Sequence, residues 1–112
     1  MTIDTTNPCL DIGQLTEIYR ASFVDKHREL QILFENVQAA HWSASSLGEL
    51  RHFIHKLSGS AAAYQFTAIA NKADWLEQRL KATEPVGDWK ESLTQGIMAL
   101  SSLLLADLKD DK

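Results

Sequence analysis

Cysteine, proline and an excess of positive charge are what this chain has least of. Cys9 is its only cysteine, so no internal disulfide and no thiolate metal cluster can form, and it reads as a spectator thiol close to the N-terminus. The two prolines, Pro8 and Pro85, lie outside the periodic segments, and with five glycines the two residue types number seven. Helix formers fill the space between them, which favours an all-α fold. No apolar run approaches the roughly 18 residues of a membrane span, and a formal charge of −4 offers no basic stripe for nucleic acid. Neither of those function classes is expected. The stretch Met1 to Pro8 lacks the basic start and apolar middle of a secretory signal, so a cytoplasmic protein is expected. At 112 residues with 45% hydrophobic content the chain is long enough for a core without metals or disulfides. It is read as a single domain over 1–112, with 1–10 a flexible lead-in and 109–112 a frayed tail.

Apolar residues recur at helical spacing throughout. Asp11, with Gln14 three places on, resembles a capping box, and Leu15, Ile18 and Tyr19 mark a short helix. Ser22, with Asp25 at its third position, is placed to cap the next one. From Phe23 onward Leu30, Phe34 and Val37, flanked by Leu33 and Ala40, predict a long amphipathic helix ending near Trp42. Ser43-Ala44-Ser45-Ser46 reads as a loop, and Ser46-Leu47-Gly48-Glu49 as the capping box of a central helix.

The seam of that central helix is Leu47, Leu50, Ile54, Leu57, Ala61 and Tyr64, widened by Phe53. Beyond it the phase jumps to Phe66, Ile69, Ala73, Leu76 and Leu80, which predicts a break near Tyr64-Gln65 and a new helix capped by Thr67. Thr83-Glu84-Pro85-Val86-Gly87 is the clearest breaker. After it, Asp88 caps a last helix with the seam Trp89, Leu93, Ile97, Leu100, Leu104 and Leu108, with Leu103 and Leu105 adding bulk. Four amphipathic helices that cannot bury their stripes alone imply an antiparallel up-down four-helix bundle, preceded by a short additional N-terminal helix.

Four histidines, His27, His41, His52 and His55, are the candidates for chemistry. A di-metal bundle would need Glu-x-x-His on two helices, and no second such motif occurs. Ser58 lies within helical reach of His55, but a hydrolytic triad would need a third, orienting carboxylate and an oxyanion hole. Trp42, Trp75, Trp89, Tyr64 and Phe66 read as core and end packing, and Arg79-Leu80-Lys81 as a solvated helix end.

His55 stands apart. It lies about 100° around the helix from Ile54, away from the seam, with Ser58, Gly59 and Ala62 beside it at helical spacing. A glycine inside a helix costs about 1 kcal/mol relative to alanine, and here it removes bulk one turn from an imidazole. Arg51, His52 and Lys56 supply positive charge nearby. Phosphoryl transfer needs positioning and charge compensation more than covalent machinery, and a neutral imidazole nitrogen is a competent nucleophile near neutral pH.

The stretch His55-Lys56-Leu57-Ser58-Gly59-Ser60, continuing Ala61-Ala62-Ala63-Tyr64-Gln65-Phe66, resembles the signature of the histidine phosphotransfer (HPt) domains of phosphorelays. That signature is roughly His-x-Leu-Lys-Gly-Ser/Ala, then a glycine and an apolar residue. Leu50-Arg51 and Leu76-Glu77 look like the family's usual dipeptides, and the likeness in element order runs from about Asp11 to Leu108. It implies that His55 is the phosphoryl acceptor and donor and that Gly59 permits close approach. It also implies that the partners are response-regulator receiver domains or hybrid sensor histidine kinases, that the receiver brings the Mg²⁺, and that the chain has no cofactor of its own and no turnover activity. Arg51, His52, Lys56, Ser58, Gly59 and Ala62 are the expected phosphoryl or receiver contacts, with the neighbouring long helix from Phe23 to Trp42 forming the other side of the docking face. A monomer is expected.

Two positions depart from the family pattern. Ser58 stands where a lysine is usual, and Lys56, about 200° around the helix from it, is no simple substitute; Arg51 or His52 is expected to take over part of the role. Gln65 stands where glycine is usual, which predicts a tighter turn into Thr67. The alternatives are a phosphorylation-independent regulator that docks a kinase or receiver, and a metal-binding or structural bundle.

Overall fold

Helical seams of this kind close into a bundle when each helix finds two neighbours, and that is the arrangement found. The computed structural model of the protein describes residues 12–81 and 88–109. Its helices are α1 (Ile12–Ala21), α2 (Phe23–Ala39), α3 (Ala44–Ala63), α4 (Thr67–Lys81) and α5 (Trp89–Lys109). The expected capping box at Asp11, the breaker at 83–87, the side chain of Leu108, the lead-in and residues 110–112 of the tail fall outside the described residues, whereas Lys109 closes α5. The four long helices pack cyclically, α2 on α3, α3 on α4, α4 on α5 and α5 on α2, with α3–α4 the most extensive contact; α1 rests on α2 and α5.

The core is built from the predicted seams. Leu50, Ile54, Leu57 and Ala61 of α3 are buried against Leu30 and Val37 of α2, Ile69, Ala73 and Leu76 of α4, and Leu93, Ile97, Leu100 and Leu104 of α5. Phe23 is fully buried at the head of α2, a site where truncation to alanine costs about 3–5 kcal/mol. The aromatic residues close the ends of the bundle. Tyr19 stacks on Tyr64 at 4.6 Å and Trp42 meets Trp89 edge-on at 5.5 Å. Ile18, Ala40 and Leu105, three positions assigned to seams, are exposed.

Several boundaries differ from expectation for local reasons. The break between α1 and α2 falls at Ser22 as expected, but Ser22 makes no side-chain cap: its backbone is in the right-handed helical region (φ −76°, ψ −6°), and its hydroxyl donates back to the Tyr19 carbonyl and accepts from Lys26 Nζ at 2.9 Å. The cap of α3 is Ser43, not Ser46. Ser43 is extended and its Oγ accepts the Ser46 N–H, while Ser46 Oγ donates to the Ser43 carbonyl. Phe66, not Thr67, precedes α4, its carbonyl accepting the Ala70 N–H.

α2 and α3 end in the same way. Trp42 N–H reaches the Val37 carbonyl and His41 N–H that of Gln38; Phe66 N–H reaches Ala61 and Gln65 N–H reaches Ala62. These are paired Schellman closures, and they need a left-handed residue in each turn. His41 (φ 55°) and Gln65 (φ 67°) supply it without being glycine. The turn after α3 is therefore not tightened to avoid strain: Gln65 adopts the conformation that glycine would take.

Candidate functional site

His55 occupies the middle of α3, off the buried stripe of Leu50, Ile54, Leu57 and Ala61, and 67% of its side chain is exposed. The seam that anchors α3 thereby aims the imidazole outward, on the flank facing α4. There Glu77, next to the fully buried Leu76, turns its carboxylate toward α3; only 6% of that side chain is exposed. His55 Nδ1 lies 2.7 Å from Glu77 Oε2, and Lys81 Nζ, one turn further along α4, lies 3.4 Å from the same oxygen. A glutamate followed by lysine four residues on is the favourable order for a helix pair, and the lysine also suits the C-terminal end of α4.

A buried carboxylate is costly unless paired and hydrogen-bonded. Burial by itself would raise the Glu77 pKa, but the hydrogen bonds from His55 and Lys81, together with their charges, outweigh it and hold the carboxyl below its ordinary value. An ionised carboxylate accepts hydrogen bonds only, so Nδ1 is the nitrogen that carries the proton. In the neutral ring the remaining nitrogen, Nε2, then keeps its lone pair. This is the tautomer a nucleophilic imidazole requires.

Arg51, His52, His55, Glu77 and Lys81 line an open cavity of about 190 Å³. Arg51 and Lys81 against Glu77 leave it with an excess of positive charge, suited to an anion. Of the expected contacts, Arg51 and His52 thus share a cavity with His55. Lys56 lies instead on the opposite flank of α3, in a groove with Lys26, Glu29, Phe53, Leu57 and Ser60. Burial, and then the nearby Lys56, lower the Lys26 pKa against the opposing pull of Glu29 and Asp25. Ser58 is half-buried, and Gly59 and Ala62 are exposed. The helix beside the imidazole is α4; α2 borders only the groove next to it.

A Cβ built on Gly59 meets nothing within 4 Å, whereas one on Gly96 would lie 2.6 Å from Leu76 Cδ2 and 2.7 Å from Trp75 Cζ3. Packing within the chain explains Gly96. It does not explain Gly59.

Glu77 and Lys81 are the two site residues that sequence reasoning missed. The Glu77–Lys81 spacing was visible, but its meaning depends on the register of α4 against α3. Among the described residues, no group of three His, Cys, Asp or Glu side chains is gathered as for a metal ion, and no helix is long and apolar enough to cross a membrane.

An all-helical bundle that presents an exposed imidazole, oriented by a buried carboxylate within a cationic cavity, has the make-up of a phosphoryl carrier. The family model of the Hpt domain matches residues 14–110, nearly the whole chain, and the protein belongs to that family. Hpt domains are histidine phosphotransfer intermediates of two-component phosphorelays, working with receiver domains and histidine kinases, and are not turnover enzymes. No curated protein and no solved structure matches the chain.

Proposed function

We propose that His55 carries a phosphoryl group between receiver-domain aspartates, on response regulators or hybrid sensor histidine kinases. The observation that carries this reading is the 2.7 Å contact between His55 Nδ1 and Glu77 Oε2 on an imidazole that is otherwise 67% exposed. Nε2 attacks the phosphorus of an aspartyl phosphate. The N–P bond forms as the P–O bond breaks, and the aspartate carboxylate leaves with the bonding pair. Because the Nδ1 proton stays in place, the ring becomes cationic, and the Glu77 carboxylate stands where that charge develops. Return of the group to a second aspartate is the reverse step.

The receiver supplies the Mg²⁺, and this chain contributes position and charge. Arg51, His52, Lys56, Ser58, Gly59 and Ala62 are the proposed contacts with the phosphoryl group or the receiver. On this reading the chain is one antiparallel up-down bundle with α1 as its additional helix, acting as a cytoplasmic monomer.

Ser58, in the family's lysine position, favours a second reading, a regulator that docks receivers or kinases without being phosphorylated. Incubation with phosphorylated receivers and Mg²⁺ separates the two. Acid-labile, base-stable label that His55→Gln abolishes supports the carrier, and receiver binding without label supports the regulator.

A further inference from the structure

We infer that Lys81 is the phosphoryl-contacting cation of this chain, delivered from α4 in place of the lysine missing at position 58. The inference rests on the phosphotransfer reading of His55 and deepens it. Lys81 Nζ and His55 Nδ1 share one oxygen of Glu77, at 3.4 and 2.7 Å, so imidazole and ammonium are tied into a single cavity with Arg51 and His52. Ser58 brings no charge, and Lys56 faces the α2 groove instead.

The site has an electrostatic conflict that Lys81 resolves. Glu77 is needed to hold the Nδ1 proton, yet a carboxylate beside an incoming phosphoryl group repels it. Lys81 offsets that charge at its source. An ammonium has three N–H donors; with one on Glu77, two remain for phosphoryl oxygens. With 47% of its side chain exposed, Lys81 has a flexible stem that can follow the group onto Nε2. In the transfer step, as the N–P bond forms and the donor's leaving group departs with its electron pair, the negative charge settling over the phosphoryl oxygens is met by Lys81 while the ring cation is met by Glu77.

The test uses the full chain and two donors, a phosphorylated receiver with Mg²⁺ and the small donor phosphoramidate, whose P–N bond breaks with loss of ammonia. Both the rate of His55 labelling and the half-life of the label are read. Lys81→Ala is expected to lower labelling by about tenfold with either donor, the loss expected for one charge-assisted hydrogen bond, and to shorten the half-life. Lys81→Arg should retain function. Adding Ser58→Lys to Lys81→Ala should restore labelling, which a merely structural role for Lys81 would not allow. Circular dichroism confirms that each variant is folded. If wild type is labelled and Lys81→Ala matches it in rate and half-life with both donors, the inference is overturned while the carrier reading stands. If wild type takes no label from either donor, both fall.

Discussion

Glu77 Oε2 accepts a hydrogen bond from His55 Nδ1 across 22 positions of sequence, joining the only buried charged residue recorded among the described side chains to an exposed imidazole. The carboxylate dictates which ring nitrogen is protonated. Glu77→Ala should let the proton move to Nε2, lowering phosphoryl acceptance by about ten- to a hundredfold, the usual range for loss of a group that orients a histidine. Glu77→Gln retains an accepting oxygen and should lose less. Nitrogen chemical shifts of the His55 ring report the tautomer directly, and an unchanged Nδ1–H form in Glu77→Ala would contradict this account.

The same carboxylate shapes stability against pH. Its pKa in the folded protein lies below the ordinary glutamate value of 4.5. A group depressed on folding contributes stability that is complete above its unfolded pKa and lost as pH falls through the folded one. Denaturant unfolding should therefore show wild type losing stability below pH 4.5 more steeply than Glu77→Gln does. Equal acid slopes in the two proteins would count against a depressed Glu77.

Gln65 supplies a second prediction of stability. Its backbone is left-handed at φ 67°, a conformation that costs an L-residue roughly 1–2 kcal/mol. Glycine avoids that strain but has more freedom to lose on folding. Gln65→Gly should still stabilise the protein, by about 0.5–1 kcal/mol in thermal or urea unfolding, without changing the Phe66 to Ala61 closure. Gln65→Val, β-branched at positive φ, should destabilise it.

What could be read from residue order alone was the part governed by periodicity. Leu50, Ile54, Leu57 and Ala61 step along one stripe and are buried, and the phase jump after Tyr64 marks the break between α3 and α4. His55 falls off that stripe on angle alone and is exposed. Residue order does not locate the cap of α3, because Ser43 and Ser46 are both competent and only the extended backbone at Ser43 distinguishes them. The turn at Gln65 is not legible in the sequence, because propensity disfavours a left-handed glutamine whereas the two closing hydrogen bonds and the Phe66 anchor favour it. Lys81, read as a solvated helix end, is paired with Glu77. The i,i+4 spacing is legible in the sequence, but its bearing on His55 emerges only when the α3–α4 register brings a polar residue onto a buried face, which runs against hydrophobic patterning.

Gly59 and Gly96 make opposite predictions for the same substitution. Gly59→Ala places its methyl in open space and gains helix propensity, so the isolated protein should become more stable by about 0.5–1 kcal/mol. Gly96→Ala gains the same propensity but drives its methyl against Leu76 and Trp75 at under 3 Å; overpacking of this kind costs about 1–3 kcal/mol, so the net effect is destabilisation. Among the described residues nothing lies within 4 Å of a Cβ at 59, and the proposed docking of a receiver would place the requirement for glycine on the partner's side. Gly59→Leu should keep the fold and accept phosphoryl from phosphoramidate, yet lose most transfer from a phosphorylated receiver. Equal loss with both donors would show that the side chain disturbs His55 itself rather than the docked partner.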